Sequence, residues 1–187
     1  MNFSTIVIIG LMVLLLLIII SIYNGLIRRR NEVDNAFGGM DVQLKKRYDL
    51  IPNLVETVKQ YVQHEKELLA QITEMRVKAI TGNLSNDEKV SLDNKISAGM
   101  KSIMVAVENY PNLKANESFL NLQRLLNEVE SQISAARRTY NAVITDYNNG
   151  IQTFPQNIIA SYMKMTDKEV FVIPDGERQN VNVKGLF

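Results

Sequence analysis

The chain has 187 residues, enough for one domain and an anchor, with 21 Lys and Arg against 20 Asp and Glu and a net charge of +1. That balance argues against a nucleic-acid binder, which normally carries a basic surplus. Cys is absent, which excludes disulfides and thiolate metal sites.

Phe3 to Tyr23 is almost wholly apolar, and Ile6 to Ile20 contains no polar side chain. About 20 apolar residues match the hydrocarbon thickness of a bilayer, so residues 1–27 read as a transmembrane anchor. The alternative is a cleaved signal peptide. It is disfavoured because no Lys or Arg precedes the apolar run and no small-x-small site follows it. Arg28, Arg29 and Arg30 come directly afterwards and orient the span. Positive flanks stay on the cytoplasmic side, which places the N-terminus outside and the body inside.

From Val33 the apolar positions recur in steps of four and three: Val33, Phe37, Met40, Leu44, Arg47, Ile51, Leu54, Val58, Tyr61, Glu65, Leu68, Ile72, Met75, Ala79. Only Arg47 and Glu65 break the stripe. This spacing predicts one long helix with a coiled-coil-like seam over residues 32–79, roughly 70 Å at 1.5 Å per residue. Pro52 removes a backbone hydrogen bond inside it, so a kink or short break is expected near Tyr48 to Pro52. Gly38 and Gly39 cost the helix about 1 kcal/mol each relative to Ala, and close approach of another helix is the expected compensation.

Thr81-Gly82-Asn83 ends this helix, and Ser85 with Glu88 forms a capping-box pattern that starts a second. Tyr110-Pro111-Asn112-Leu113 stops the second helix. A third, from about Asn116 to Asn149, has the seam Phe119, Leu122, Leu126, Val129, Ile133, Ala136, Tyr140, Val143, Tyr147. Asn148-Asn149-Gly150 weakens it, and a short fourth helix follows Phe154-Pro155. The fold class is therefore all-α: a transmembrane helix, then an elongated antiparallel bundle of three long helices and a short fourth over residues 28–165. Residues 166–187 form an extended or hairpin tail, because Val170 to Ile173 is β-prone and Pro174-Asp175-Gly176 is a turn signal.

The second helix, at about 24 residues, covers only half of the first. The membrane-proximal stripe is then left without an obvious partner. Val33, Phe37, Met40, Leu44, Arg47 and Tyr48 are the expected interface, covered by neighbouring copies of the chain in a homo-oligomer. The rival arrangement folds the fourth helix or the tail down over them.

Catalytic patterns fail in turn. His64 is the only His, and Leu68 stands where a zinc-protease helix needs a second. A carboxylate-bridged di-iron site needs Glu three residues before a His, and that residue is Tyr61. Gly38-Gly39 is not a phosphate loop. Lys45, Lys46 and Arg47, and likewise Arg137 and Arg138, read first as solvated faces. No metal, cofactor or catalytic residue is assigned.

Val33-Asp34-Asn35-Ala36-Phe37, Leu44-Lys45-Lys46-Arg47-Tyr48-Asp49-Leu50-Ile51-Pro52-Asn53-Leu54-Val55, Glu108-Asn109-Tyr110-Pro111-Asn112-Leu113-Lys114-Ala115-Asn116 and Ala135-Ala136-Arg137-Arg138-Thr139-Tyr140-Asn141 carry a resemblance. With Tyr147-Asn148 and Phe154-Pro155, they make the chain resemble the LemA family from its anchor to about Met163, leaving the tail after Met165 uncovered. The resemblance implies a bacterial single-pass membrane protein with an elongated helical bundle, no known enzymatic activity and no established cofactor. Some members occur with vesicle-forming membrane systems, and others carry lipoprotein-type anchors. The expected role is a non-catalytic scaffold at the bacterial inner membrane, assembling with itself. The alternative is an adaptor for another membrane protein such as a protease or transporter.

Overall fold

A computed structural model of the chain describes residues 2–62 and 65–171. Its helices are α1 (Phe3–Lys59), α2 (Lys66–Thr81), α3 (Asn86–Val107), α4 (Pro111–Lys114), α5 (Glu117–Gln152) and α6 (Gln156–Tyr162). The described residues are all-helical apart from connections and an extended segment after α6.

α1 carries both the apolar span and the first wall of the bundle. Its side chains from Phe3 to Ser21 are exposed, whereas from Leu26 onward a buried stripe begins. One continuous helix thus carries both an exposed apolar run and a buried stripe. The expected 32–79 helix does not run straight. It ends at Lys59, and α2 folds back against it. Pairing of the Arg76 side chain with the Tyr48 carbonyl sets the antiparallel register. The turn lacks Gly and Pro, and tertiary contacts hold it beside the local backbone bonds of Tyr61 and Val62 to Val58. Asn116 donates to the Tyr61 hydroxyl at 3.1 Å, and the Tyr110 hydroxyl donates to the Glu65 carboxylate at 3.0 Å. The expectation for His64 falls on a position outside the described residues.

Pro52 does not break α1, which is helical on both sides of it. Proline has no N–H to give the carbonyl four residues back, that of Tyr48. Arg76 Nε of α2 donates to this carbonyl at 2.7 Å. The orphaned acceptor is therefore satisfied by a neighbouring helix, and the helix continues.

α3 begins at the expected capping box. The Ser85 N–H donates to Glu88 at 2.8 Å, and the Glu88 N–H donates back to the Ser85 hydroxyl at 3.3 Å. α3 runs parallel to α1, as shown by Lys89 on Asp41 at one end and Tyr110 on Glu65 at the other. α5 runs antiparallel to α1 along the whole bundle, from Asn116 beside Tyr61 to Asp146 beside Arg29. The result is an up-down-up-down bundle of α1, α2, α3 and α5, from which α1 and α5 continue as a pair toward the span.

This pairing corrects the length argument. α5 has 36 residues, about 54 Å at 1.5 Å per residue, and matches the stripe of α1. Val33, Phe37, Met40, Leu44, Arg47 and Tyr48 are all buried within the one chain. Phe37 meets Tyr140 of α5 edge-on, with ring centroids 5.6 Å apart. The six residues are core, so the unfilled stripe that called for neighbouring copies does not exist in the folded chain. The covering element is neither the fourth helix nor the tail but the third long helix.

Two further expectations change. A Cβ built on Gly38 or Gly39 meets nothing within 4 Å, so no helix approaches them. α5 is not weakened at Gly150 but runs to Gln152, with Arg29 of α1 lying across that glycine. The space around Gly38 gives a direct test. Gly38→Ala is expected to raise stability by about 0.5–1 kcal/mol, read as a higher urea midpoint in detergent micelles. A lower midpoint would reveal a neighbour packed on that face.

Candidate functional site

The seam of α1 is interrupted at Arg47, which is fully buried. Its guanidinium pairs with Asp93 of α3, donates to Ser97 at 2.8 Å and to Glu130 of α5 at 2.8 Å. Asp93 is buried as well and pairs a second time with Arg137 of α5, which also donates to Asn94 at 3.3 Å. Two guanidinium and two carboxylate groups thus form a neutral cluster that ties three helices together. Burial draws Arg47 below the usual arginine value, and the Glu130 carboxylate opposes the shift. Arginine starts so high that the group stays charged. Burial likewise raises the neighbouring Tyr48 hydroxyl, against the pull of Arg47.

A cluster of this kind does more for register than for stability. Desolvating two ions costs nearly what their attraction returns, whereas removing one partner leaves an unanswered charge and costs about 3–5 kcal/mol. Any slide of α3 or α5 along α1 would do the same.

From this cluster the network reaches the chain after α6. Arg137 lies 5.8 Å from the centre of the Phe171 ring, and Phe171 stacks edge-on against Tyr140 at 5.2 Å. Asn141 grips both backbone groups of Phe171. Its oxygen accepts from the Phe171 N–H at 2.7 Å, and its amide donates to the Phe171 carbonyl at 2.9 Å. Asn148 does the same at Lys168, accepting at 3.0 Å and donating at 2.9 Å. The geometry is commensurate. Seven helical residues rise about 10.5 Å, and three extended residues cover about 10 Å. Two side-chain amides therefore replace a neighbouring strand for residues 168–171. The part of the tail expectation that falls on residues 172–187 lies outside the described residues.

The expected site residues are distributed as follows. Arg28 and Arg30 are exposed, while Arg29 is half-buried and donates to the Asp146 carbonyl at 2.7 Å. Arg47, read from its neighbours Lys45 and Lys46 as a solvated residue, is core, and Arg137 is a bundle contact rather than a free face. The missed signal was positional. Lys45 and Lys46 lie off the seam and Arg47 lies on it. Asp93 and Asn141 were not singled out by their own chemistry. Among the described residues, no three His, Cys, Asp or Glu side chains gather as a metal site.

Comparison with known proteins places these features. The sequence model of the LemA family matches residues 36–184, which extends past Met165 and so includes the clasped segment that the motif comparison left out. Protein LemA of Metamycoplasma hominis is 28% identical over 163 residues, covering 87% of this chain and 74% of that protein. Magnetosome proteins MamQ 1 and MamQ 2 of Paramagnetospirillum magneticum are each 20% identical, covering 74% of this chain, which spans only 60% of their length.

Asp93→Ala is expected to cost about 3–5 kcal/mol in the denaturant midpoint, and adding Arg47→Met is expected to recover a large part of it. Strictly additive losses would show that the two charges are not coupled.

Proposed function

The chain belongs to the LemA family, and from that premise we propose that it serves as a non-catalytic, membrane-anchored helical scaffold in a bacterial inner membrane. The observation that carries this reading is the continuity of α1, one helix from Phe3 to Lys59 that holds both the span and the bundle. A helix shared between bilayer and bundle transmits position without a hinge. Locked against α5 and α3, it would hold the bundle tip about 50 Å from the membrane surface, by rise per residue. The charge cluster favours a mechanical role over a chemical one. Its ions are spent on one another, and no acid, base and nucleophile converge there.

In this reading the bundle is cytoplasmic and the N-terminus lies outside. Arg29 ends up paired with Asp146 in the folded chain, but orientation is decided during insertion, when Arg28, Arg29 and Arg30 all count. Self-assembly through the α1 stripe is not part of the proposal, because α5 fills that stripe. A second reading, an adaptor for another membrane protein, is favoured by an apolar recess of about 560 Å³ between α1 and α2, lined by Val55, Leu69, Ala70 and Val77 among others.

Asn112 is exposed at the bundle tip and suits a single reporter cysteine, since the chain has no native Cys. Energy transfer from a dye at Asn112→Cys to headgroup acceptors is expected to give a narrow distance near 50 Å. In intact cells the same cysteine is expected to resist an impermeant maleimide until the membrane is opened. A short or broad distance would contradict the scaffold, and labelling in intact cells would reverse the orientation.

A further inference from the structure

α5 ends at Gln152, and the turn at Thr153 to Pro155 sends the chain into α6. One face of α6 packs on the protein through Gln156, Ile159, Ala160 and Met163, all buried or partly buried. The other side presents Ile158 and Tyr162, 62% and 91% exposed, and Phe154 in the turn before α6 is 75% exposed. Such a row of large apolar and aromatic groups is an anomaly in water, because the same segment has a packed face it could have used.

Its position names the occupant. Gln156 shares a recess with Ser21, Ile22, Gly25, Leu26 and Arg29, at the last turns of the apolar span. Met163 shares the next recess with Arg30 and Asp34. The segment therefore starts at the end of the span and climbs along α1. Phe3 to Tyr23 rises about 31 Å, and the hydrocarbon core is about 30 Å thick, so residues 24–30 lie at headgroup level. α6 lies beside them. Exposed Arg28 and Arg30 follow the span, and Lys164 follows α6 and shares a recess with Arg30 and Asp34; amphipathic rings are at ease at such a boundary.

Resting on the membrane-anchor reading above, we infer that Phe154, Ile158 and Tyr162 form a second membrane contact, a foot pressed into the same leaflet from which α1 emerges. Phe154 enters the acyl boundary, Ile158 sits above it, and the Tyr162 hydroxyl stays among the headgroups. A single span leaves a bundle free to tilt and rotate. A foot at one side of that span fixes both, because tilting would lift apolar side chains out of the membrane or drive cationic ones in.

The chain contains no Trp, so each introduced Trp reports alone. The full chain is reconstituted in vesicles of phosphatidylcholine and phosphatidylglycerol brominated at shallow or deep acyl positions. Phe154→Trp, Ile158→Trp and Tyr162→Trp are compared with Leu14→Trp in the span and Val105→Trp on exposed α3, each checked for unchanged helical circular dichroism. Shallow bromines are expected to quench Phe154→Trp most, Ile158→Trp less and Tyr162→Trp least, with Val105→Trp unaffected and Leu14→Trp quenched best by deep bromines. If Phe154→Trp and Ile158→Trp behave like Val105→Trp while Leu14→Trp is quenched, the foot is overturned and the anchor stands. If Leu14→Trp also escapes quenching, the anchor reading fails and the foot fails with it.

Discussion

A guanidinium placed in the seam of a helix has to be answered by carboxylates from the helices around it. Arg47 sets that constraint here. Asp93 of α3 and Glu130 of α5 answer it, and Arg137 balances the remaining charge of Asp93. Apolar side chains alone tolerate a slide of one turn, since one leucine replaces another in the same groove. A buried ion pair does not, because the slide strands a charge. The bundle thereby acquires one register out of several that its apolar pattern would allow.

Once the register is fixed, the rest follows along α5. It covers α1 from the tip to the end of the apolar run, so the apolar stripe there is sealed within one chain. The same helix turns a second face to the chain after α6 and holds it by Asn141 and Asn148. Charge cluster, aromatic stack and side-chain clasp meet around Arg137, Tyr140 and Asn141. These residues therefore link the core of the bundle to its outermost segment. α6 lies beyond them, beside the turns of α1 that follow its apolar run.

Much of this architecture was legible in the sequence. The seams of α1 and α5, the exposed apolar helix at the start of α1 and the capping box at Ser85 appear in the structure where periodicity and local chemistry placed them. The turn after Lys59 was not legible. A heptad pattern reads the same whether the helix runs on or folds back, provided both halves face one core, and no Gly or Pro marked the change. Leu68, Ile72, Met75 and Ala79 face the core as expected, from an α2 that points the other way. At Pro52 the expected break is absent, because the freed Tyr48 carbonyl finds a donor in Arg76, 24 residues beyond the proline. The charge cluster was half visible. Arg47 interrupts the seam of α1 in the sequence itself, whereas its partner Asp93 is revealed only by its burial in α3. The Asn clasp left no such mark, since Asn on a helix surface is ordinary.

The central claim is that α5 seals the membrane-proximal stripe of α1 within the same chain. It is tested most directly by paired cysteines at Arg29 and Asp146, which face each other across that seam, in a protein with no cysteine of its own. A short bis-maleimide applied to membranes holding the Arg29→Cys, Asp146→Cys double variant should yield a cross-linked single chain. Mixed membranes of the two single variants should yield no joined product. Covalent dimers from the mixed membranes, without the single-chain product from the double variant, would contradict the account.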